Sequence, residues 1–343
     1  MSDEGKGIKE SNLENYQTFE LLGSGTYGRV YKARPLHMNE IVAIKQISTR
    51  CDEEIAWAEG EIRILQKYRH TNLLRIKEVI KETGAIYIIL DYYYRDLNKH
   101  LQSIADQSIF GGVIKGLPPL LVKSYLYQLL AGAEYLHKNG AVHLDLKPHN
   151  LLLNYTGGLV IGDFGATLEN IDPDFYPKVY KEMVTLWYRA PELLFYQLGY
   201  TPAIDIWSIG CIFAQMSNGN ALFQGDSESE QLSAIFRVLG TPNNNIWPGV
   251  ESYSCYSDYA IDQAKSLVPL VNLDPLGIDL LSQMLVYDPS KRITASQALK
   301  HKYFDELIEI CKKEIKISSE FPTVDEITRG LQKLPLYVLW SNE

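Results

Sequence analysis

An α+β protein in two lobes, a small strand-rich lobe followed by a larger helical one, is the fold class this sequence predicts. Three observations point to it. Between residues 16 and 94 most apolar runs are short, rich in β-branched and aromatic residues, and several are separated by Gly, Pro or Asn, as strands are. Beyond residue 95 the pattern becomes that of helices. The 343 residues are 46% apolar and 22% charged, an ordinary globular composition that excludes a disordered or fibrous chain and supplies core for about two domains.

In chain order, residues 1–15 read as a flexible N-terminal segment, because Met1–Glu10 is polar and alternately charged and lacks the apolar stretch of a signal peptide. Strands are expected at Tyr16–Leu22, Arg29–Arg34, Ile41–Ile47, Val79–Lys81 and Ala85–Leu90. One helix interrupts them from about Glu53 to Lys67, with Ile55, Ala58, Ile62 and Leu65 spaced three or four apart. Residues 91–95 form a hinge between the lobes. The segment from Ser103 to Gly116, rich in Gly, Ser and Gln, reads as a surface loop. Helices are expected at Leu120–His137, at Thr201–Met216 with Thr201-Pro202 marking its start, at Ser227–Leu239 and at Leu276–Leu285. The plan is a small lobe over 16–90, a large lobe over 96–304, and a C-terminal extension, 305–343, that mixes Lys and Glu with isolated apolar residues.

Charge narrows the function. With 33 Lys and Arg against 42 Asp and Glu, the net charge of −9 is unsuited to general nucleic-acid binding. No stretch of about 18 apolar residues predicts a membrane span. Cys51, Cys211, Cys255 and Cys311 are scattered without CxxC spacing, so neither a zinc cluster nor a disulfide framework is indicated, and a reducing compartment fits best. An intracellular protein, cytoplasmic or nuclear, is expected.

Five short motifs carry chemistry. Gly23-Ser24-Gly25-Thr26-Tyr27-Gly28 lies between two strands, which disfavours a dinucleotide fold; such a run either closes over a phosphate chain or is an ordinary Gly-rich turn. Lys45 in Val42-Ala43-Ile44-Lys45 is costly inside an apolar strand unless its charge is used, the alternative being an edge lysine reaching solvent. Glu61 on the following helix can supply the counter-charge or lie on a solvated face. The remaining three are His143-Leu144-Asp145-Leu146-Lys147-Pro148-His149-Asn150, Asp163-Phe164-Gly165 and Ala190-Pro191-Glu192. Each is weak alone; the five in this order and at these separations are not coincidence.

Together they resemble the eukaryotic protein kinases over about residues 16–304. The resemblance is closer still to the cyclin-dependent kinase branch. It rests on Val184-Thr185-Leu186-Trp187-Tyr188-Arg189-Ala190-Pro191-Glu192, Asp205-Ile206-Trp207-Ser208-Ile209-Gly210-Cys211, Ala221-Leu222-Phe223-Gln224-Gly225-Asp226-Ser227, Leu239-Gly240-Thr241-Pro242 and Trp247-Pro248-Gly249-Val250. It implies a serine/threonine kinase acting on protein substrates with ATP and Mg²⁺. Amides of Gly23–Gly28, including Ser24, Gly25, Thr26 and Tyr27, would cover the phosphates, and Lys45, fixed by Glu61, would hold two of them. Asp163 and Asn150 would bind the metal, Asp145 would accept the substrate proton, and Lys147 and Thr185 would steady the γ-phosphate and the catalytic Asp. Adenine would sit among Leu22, Val30, Ala43 and Leu152, with Leu90 behind and backbone bonds at Asp91 and Tyr93. Val184 and Arg189 would shape a pocket for proline after the target residue. Asp205 would anchor the catalytic loop, Glu192 would pair with Arg292, and Leu65, Ile76, His143 and Phe164 match an apolar column of active kinases. Thr26 and Tyr27 match inhibitory phosphorylation sites.

The chain departs from that pattern in a coordinated way. The three positions where the family carries a phosphate-gripping arginine are Leu144, Gly60 and Leu168, and Tyr180 stands where the phosphothreonine would. An active shape reached without activation-segment phosphorylation is therefore expected, with Tyr180 packing on Leu144 and Leu168; the alternative is an exposed Tyr180. Glu59 replaces the isoleucine that enters a cyclin groove, so a cyclin-like activator on the small-lobe helix is uncertain, and a monomeric kinase that activates others of its branch is an alternative. Trp57 is expected to pack inside the lobe, with a partner anchor as its second reading. A catalytically dead scaffold is the alternative from a different class, although Lys45, Asp145, Asn150 and Asp163 are all kept.

Overall fold

The computed structural model of the protein describes residues 12–25, 28–108, 116–169, 186–196, 199–253, 255–315 and 322–334. The chain forms two compact units, one made of Met1–Arg69 with Leu74–Tyr93, the other of His70–Leu73 with Tyr94–Glu343. No helix among the described residues is long and apolar enough to cross a membrane.

The first unit is built on strands β1 (Tyr16–Gly25), β2 (Gly28–Pro35), β3 (Val42–Ser48), β4 (Ile76–Glu82) and β5 (Ala85–Asp91), with helix α1 (Asp52–Lys67) between β3 and β4. The five strands form one antiparallel sheet in the order β1-β2-β3-β5-β4. The pleat sorts their side chains. Val30 lies opposite Lys45, Ala43 opposite Leu90, and Ala43 and Lys45 are two residues apart, so all four share one face. The alternate residues Ala33, Val42, Ile44, Ile80 and Ile89 form a buried apolar cluster, against which Leu13, Tyr16 and Tyr87 pack.

Helix α1 buries Ala58, Glu61, Ile62, Ile64 and Leu65, all in its C-terminal part, where it packs on β3 and β4. None of the residues from Asp52 to Trp57 is buried, and Trp57, expected in the core, is 36% exposed. Gly60 sits in this helix with open space where a Cβ would project. Gly60→Ala should therefore stabilise the protein by about 0.5–1 kcal/mol, through the helix propensity of Ala over Gly. A lowered midpoint in urea unfolding would contradict this.

The second unit contains β6 (Arg95–Asp96), α2 (Leu97–Ser108), α3 (Pro119–Lys138), β7 (Ala141–Val142), β8 (Leu151–Leu153), β9 (Leu159–Ile161), β10 (Leu168–Glu169), α4 (Pro191–Leu194), α5 (Pro202–Asn218), α6 (Glu228–Leu239), α7 (Pro275–Met284), α8 (Ala295–Ala298), α9 (Asp305–Ile315) and α10 (Val324–Leu331). Helices α3 and α5 are apolar nearly all round and buried over most of their length, and they pack on each other. The strands make two small sheets, β6-β8-β9 and β7-β10.

One expectation needs correction. The surface loop expected from Ser103 is helical through Ser108, because Leu97 and Leu101 are buried one turn apart and the Asp96 carboxylate accepts the Lys99 N–H at 2.8 Å, which caps the helix start. Residues 109–115 lie outside the described residues. The extension after residue 304 carries two helices. Ile327, Leu331 and Leu334 are buried, α10 packs on α3, and Gln332 donates to the Thr71 carbonyl at 3.0 Å. The charges that mask this segment in the sequence lie on the solvent side of an amphipathic helix.

Candidate active site

The site residues of the strand unit follow from its register. Gly23 pairs with Val30 across the β1–β2 hairpin, and Gly25 pairs with Gly28. A Cβ on Gly28, whose φ is 140°, would lie 2.0 Å from the Gln46 carbonyl oxygen, so the fold itself requires glycine there. A Cβ on Gly23 or Gly25 would meet nothing within 4 Å, so packing within the unit gives no reason for either. Open glycines with Ser24 exposed between them suit a turn whose amides approach a ligand. Thr26 and Tyr27 lie outside the described residues.

Lys45 is 8% exposed and Glu61 is 4% exposed; the ammonium donates to both carboxylate oxygens, at 2.7 and 2.8 Å. Neither edge exposure nor a solvated helix face describes them. A lysine inside an apolar sheet is costly without such a partner, and the pair leaves the ammonium fixed on the face that carries Val30, Ala43 and Leu90. Ala43 and Leu90 are buried, and Leu22 and Val30 half-buried. The Asp91 N–H donates to the Arg75 carbonyl at 3.1 Å, so the backbone group Asp91 can offer a ligand is its carbonyl. Burial pushes the neighbouring Tyr93 phenol up to about 12.

In the helical unit the loop 143–150 runs from β7 to β8. Asp205, wholly buried in α5, accepts the backbone N–H groups of His143 and Leu144, each at 2.9 Å, and a nitrogen of His137 at 2.8 Å. This grip holds Leu144 at a φ of 67°, a left-handed conformation unfavourable for a leucine. His143 takes the Asp145 N–H on Nδ1 at 3.3 Å and lies 3.1 Å from the Gly162 carbonyl through Nε2, which assigns the proton to Nε2. Its ring meets Phe164 edge-on, with centroids 5.3 Å apart.

Hairpin register places the polar residues. Leu151 pairs with Ile161, and the Gly162 N–H donates to the Asn150 carbonyl at 2.8 Å, so Asn150 at the start of one strand lies opposite Gly162, the residue before Asp163. Asp163 has a φ of 58°. Asp145 is 7% exposed; its Oδ2 receives Lys147 Nζ at 2.7 Å and Asn150 Nδ2 at 3.1 Å. Its Oδ1 is buried without a hydrogen-bond partner among the described residues. Leu152 is half-buried on β8. Burial raises the Asp145 pKa, and Lys147 opposes the rise. A buried carboxylate with a raised pKa is a better base than an exposed one. Removing Lys147 removes the opposing charge, so Lys147→Met should move the acid limb of the kcat/KM profile to higher pH, besides lowering the rate. An acid limb that stays put or moves down would contradict this.

Arg189 is buried and its Nη1 donates to Glu228 at 2.7 Å. The expected Glu192–Arg292 pair is present, bidentate at 2.8 and 3.0 Å, with the arginine side chain fully buried. Thr185, Val184 and Tyr180 lie outside the described residues. His137 and Glu228 escape sequence reasoning. His137 stands six residues before His143 at the end of α3, and Glu228 directly follows the Gly225-Asp226-Ser227 run; neither has a sequence neighbour that announces its partner.

A lysine clamped by a glutamate in one unit and, in the other, a buried carboxylate bonded to a lysine and an asparagine are each the kind of group a phosphotransferase uses. The family model of the protein kinase domain matches residues 16–304, and the chain belongs to the protein kinases. The two-lobed α+β kinase fold, use of ATP and action on protein substrates follow from that membership.

Proposed function

We propose that the protein is a serine/threonine kinase of the cyclin-dependent branch that phosphorylates Ser or Thr followed by Pro and needs no activation-segment phosphate. The observation that carries the reading is Asp145, a buried carboxylate with one oxygen engaged by Lys147 and Asn150 and the other without a hydrogen-bond partner among the described residues. That second oxygen accepts the proton of the substrate hydroxyl while the hydroxyl oxygen bonds to the γ-phosphorus and the bond to the leaving ADP oxygen breaks. Lys147 steadies the γ-phosphate, and Thr185 the catalytic Asp. Lys45, held by Glu61, binds the α- and β-phosphates, and amides from Gly23 to Gly28 cover them. Two oxygen-bearing side chains at the hairpin mouth, Asn150 and Asp163, fit a hard divalent cation. They would hold Mg²⁺, which supplies charge neutralisation at the phosphate oxygens. Leu22, Val30, Ala43 and Leu152 receive adenine, Leu90 backs it, and the Asp91 carbonyl and Tyr93 backbone hydrogen-bond it.

Val184 and Arg189 select proline, which has no N–H to leave unpaired where a carbonyl is already engaged. Leu144 is buried and Leu168 half-buried on β10, apolar groups where a phosphate site needs arginines. In this reading Tyr180, which lies outside the described residues, takes the role of the phosphothreonine. Glu59 is exposed and pairs with Lys81 at 2.9 Å, which is unlike an apolar anchor for a cyclin. Phosphorylation of Thr26 or Tyr27 would inhibit, by adding charge beside the ATP phosphates. The decisive experiment uses purified, partner-free, phosphatase-treated protein. It measures labelled phosphate incorporation into Ser-Pro, Ser-Ala and Tyr peptides, with Asp145→Asn as the blank. Transfer to Ser-Pro above the blank is expected. No transfer would favour a kinase-fold scaffold or a partner-dependent enzyme, and equal turnover of Ser-Pro and Ser-Ala would refute the proline preference.

A further inference from the structure

The C-terminal extension reaches back to a turn that is fastened to the hairpin carrying Asn150 and Asp163. Helix α10 begins at a reciprocal cap, in which the side chains of Thr323 and Glu326 each accept the other's backbone N–H. Ile327 and Leu331, with Leu334 just beyond the helix, recur at helical spacing and are buried, and the helix packs on α3 and α9. That seat delivers two polar side chains to the turn His70–Leu73. Gln332 donates to the Thr71 carbonyl at 3.0 Å, and Asp325 Oδ1 lies 3.4 Å from His70 Nε2.

Two bonds inside the turn end on His70. Its Nδ1 accepts the Asn72 N–H and its carbonyl accepts the Leu73 N–H, each at 3.1 Å. Burial lowers the His70 pKa and keeps the ring neutral, so an accepting Nδ1 assigns the proton to Nε2, the nitrogen that faces Asp325. The side chain is 7% exposed, and the ring stacks on Tyr135 of α3 with centroids 5.1 Å apart. The ring is thus held by α3 on one face and by α10 at its edge.

The far half of the turn is fastened to β9. The Ile161 N–H donates to the Asn72 carbonyl at 2.8 Å, Asn72 Nδ2 donates to the Leu159 carbonyl at 2.8 Å and to Gln128 at 3.3 Å, and Leu73 bridges to Ile161. Ile161 pairs with Leu151, the neighbour of Asn150, and Asp163 follows shortly after Ile161. A route of direct contacts therefore runs from Gln332 and Asp325 through His70–Leu73 into the strand that leads to Asp163, all within one compact unit. Gln128 and Tyr135 support the same turn, so α10 adjusts its position and does not create it.

We propose that α10 is a positioning element for the active site: by holding His70 and Thr71 it steadies the end of β9, and so sets how tightly Asn150 and Asp163 hold the divalent cation. This rests on the metal reading above. Mg²⁺ demands near-ideal geometry of its oxygen ligands, so a hairpin that wanders binds it less well with the same side chains.

The test uses the full chain as wild type, Gln332→Ala, Asp325→Ala, the double variant and, as control, Lys313→Ala on α9. None of the three residues is buried, which keeps the fold. The first readout is amide hydrogen exchange on nucleotide-free protein. In the double variant exchange at Asn72, Leu73 and Ile161 should quicken about five- to tenfold, the worth of roughly one hydrogen bond. His143 and Leu144, held by Asp205, should keep their wild-type rates. The second readout is the free Mg²⁺ concentration giving half-maximal phosphorylation of whichever peptide the wild type prefers. It should rise about three- to tenfold in the double variant, with the peptide KM unchanged. Lys313→Ala should alter neither. Exchange that quickens uniformly across the unit would mark a merely structural role and overturn the inference. So would unchanged exchange at Ile161, or faster exchange there beside an unchanged Mg²⁺ requirement, with the metal reading left standing. A wild type without divalent-dependent phosphate transfer would remove the metal reading and the inference with it.

Discussion

Asp145→Asn should lower phosphoryl transfer by about 10²–10⁴-fold, the usual worth of a positioned general base, while leaving ATP binding in place. Asparagine keeps the shape and an oxygen for Lys147 and Asn150, but its amide is no base. Stability moves the other way. Burial raises the Asp145 pKa above its unfolded value, so the native state binds that proton more tightly than the unfolded chain does. The associated stabilisation is full below the unfolded pKa and is lost as pH rises through the folded pKa. At neutral pH the ionised group is thus a burden on folding, and Asp145→Asn should melt no lower than wild type, with the difference vanishing at acid pH. Radiolabelled turnover, ATP titration and thermal melts over pH 4–8 check the three parts. Turnover within tenfold of wild type would eliminate Asp145 as the base.

Arg292→Ala should have the largest effect on stability, a loss of about 3–5 kcal/mol, the range for breaking a buried pair from one side. The guanidinium donates to both oxygens of Glu192 and to the carbonyls of Ala203, Val286 and Tyr287. Its loss strands a carboxylate that is 4% exposed and removes partners from three carbonyls. Arg292→Lys should restore only part, since an ammonium cannot reproduce the planar fork. Adding Glu192→Leu to Arg292→Met should recover stability relative to Arg292→Ala, because no buried charge is then left alone, although the carbonyls still lack donors. Chemical denaturation of the set gives the comparison. A single variant indistinguishable from wild type would show that water reaches the site and replaces the arginine.

Much of the site was legible beforehand because its chemistry sits in short local runs. Lys45, Asp145, Lys147, Asn150 and Asp163 are each marked by immediate neighbours, and a strand such as Val42–Ser48 is marked by β-branched residues. The five main strands and the four helices expected after residue 118, which are α3, α5, α6 and α7, emerge within a few residues of the expected bounds, Ile76–Glu82 being longer at both ends than Val79–Lys81. The loop expected from Ser103 failed because composition outweighed the Leu97–Leu101 spacing and the Asp96 cap. Trp57 failed because a helical stripe tells which side is apolar and does not tell how far along the helix the sheet reaches.

The sequence by itself therefore determined the order of lobes, the candidate catalytic side chains and the absence of arginine at positions 60, 144 and 168, since these are properties of residue type and near spacing. Only the tertiary structure decided who holds whom. Asp205 grips His143 from 62 positions away, Arg292 meets Glu192 across 100, and Glu228 binds Arg189 across 39. Periodicity can announce a buried face, but it carries no record of which distant element will cover it. That choice is made by packing, where shape and the demand that every buried charge find a partner select among many pairings that one sequence permits.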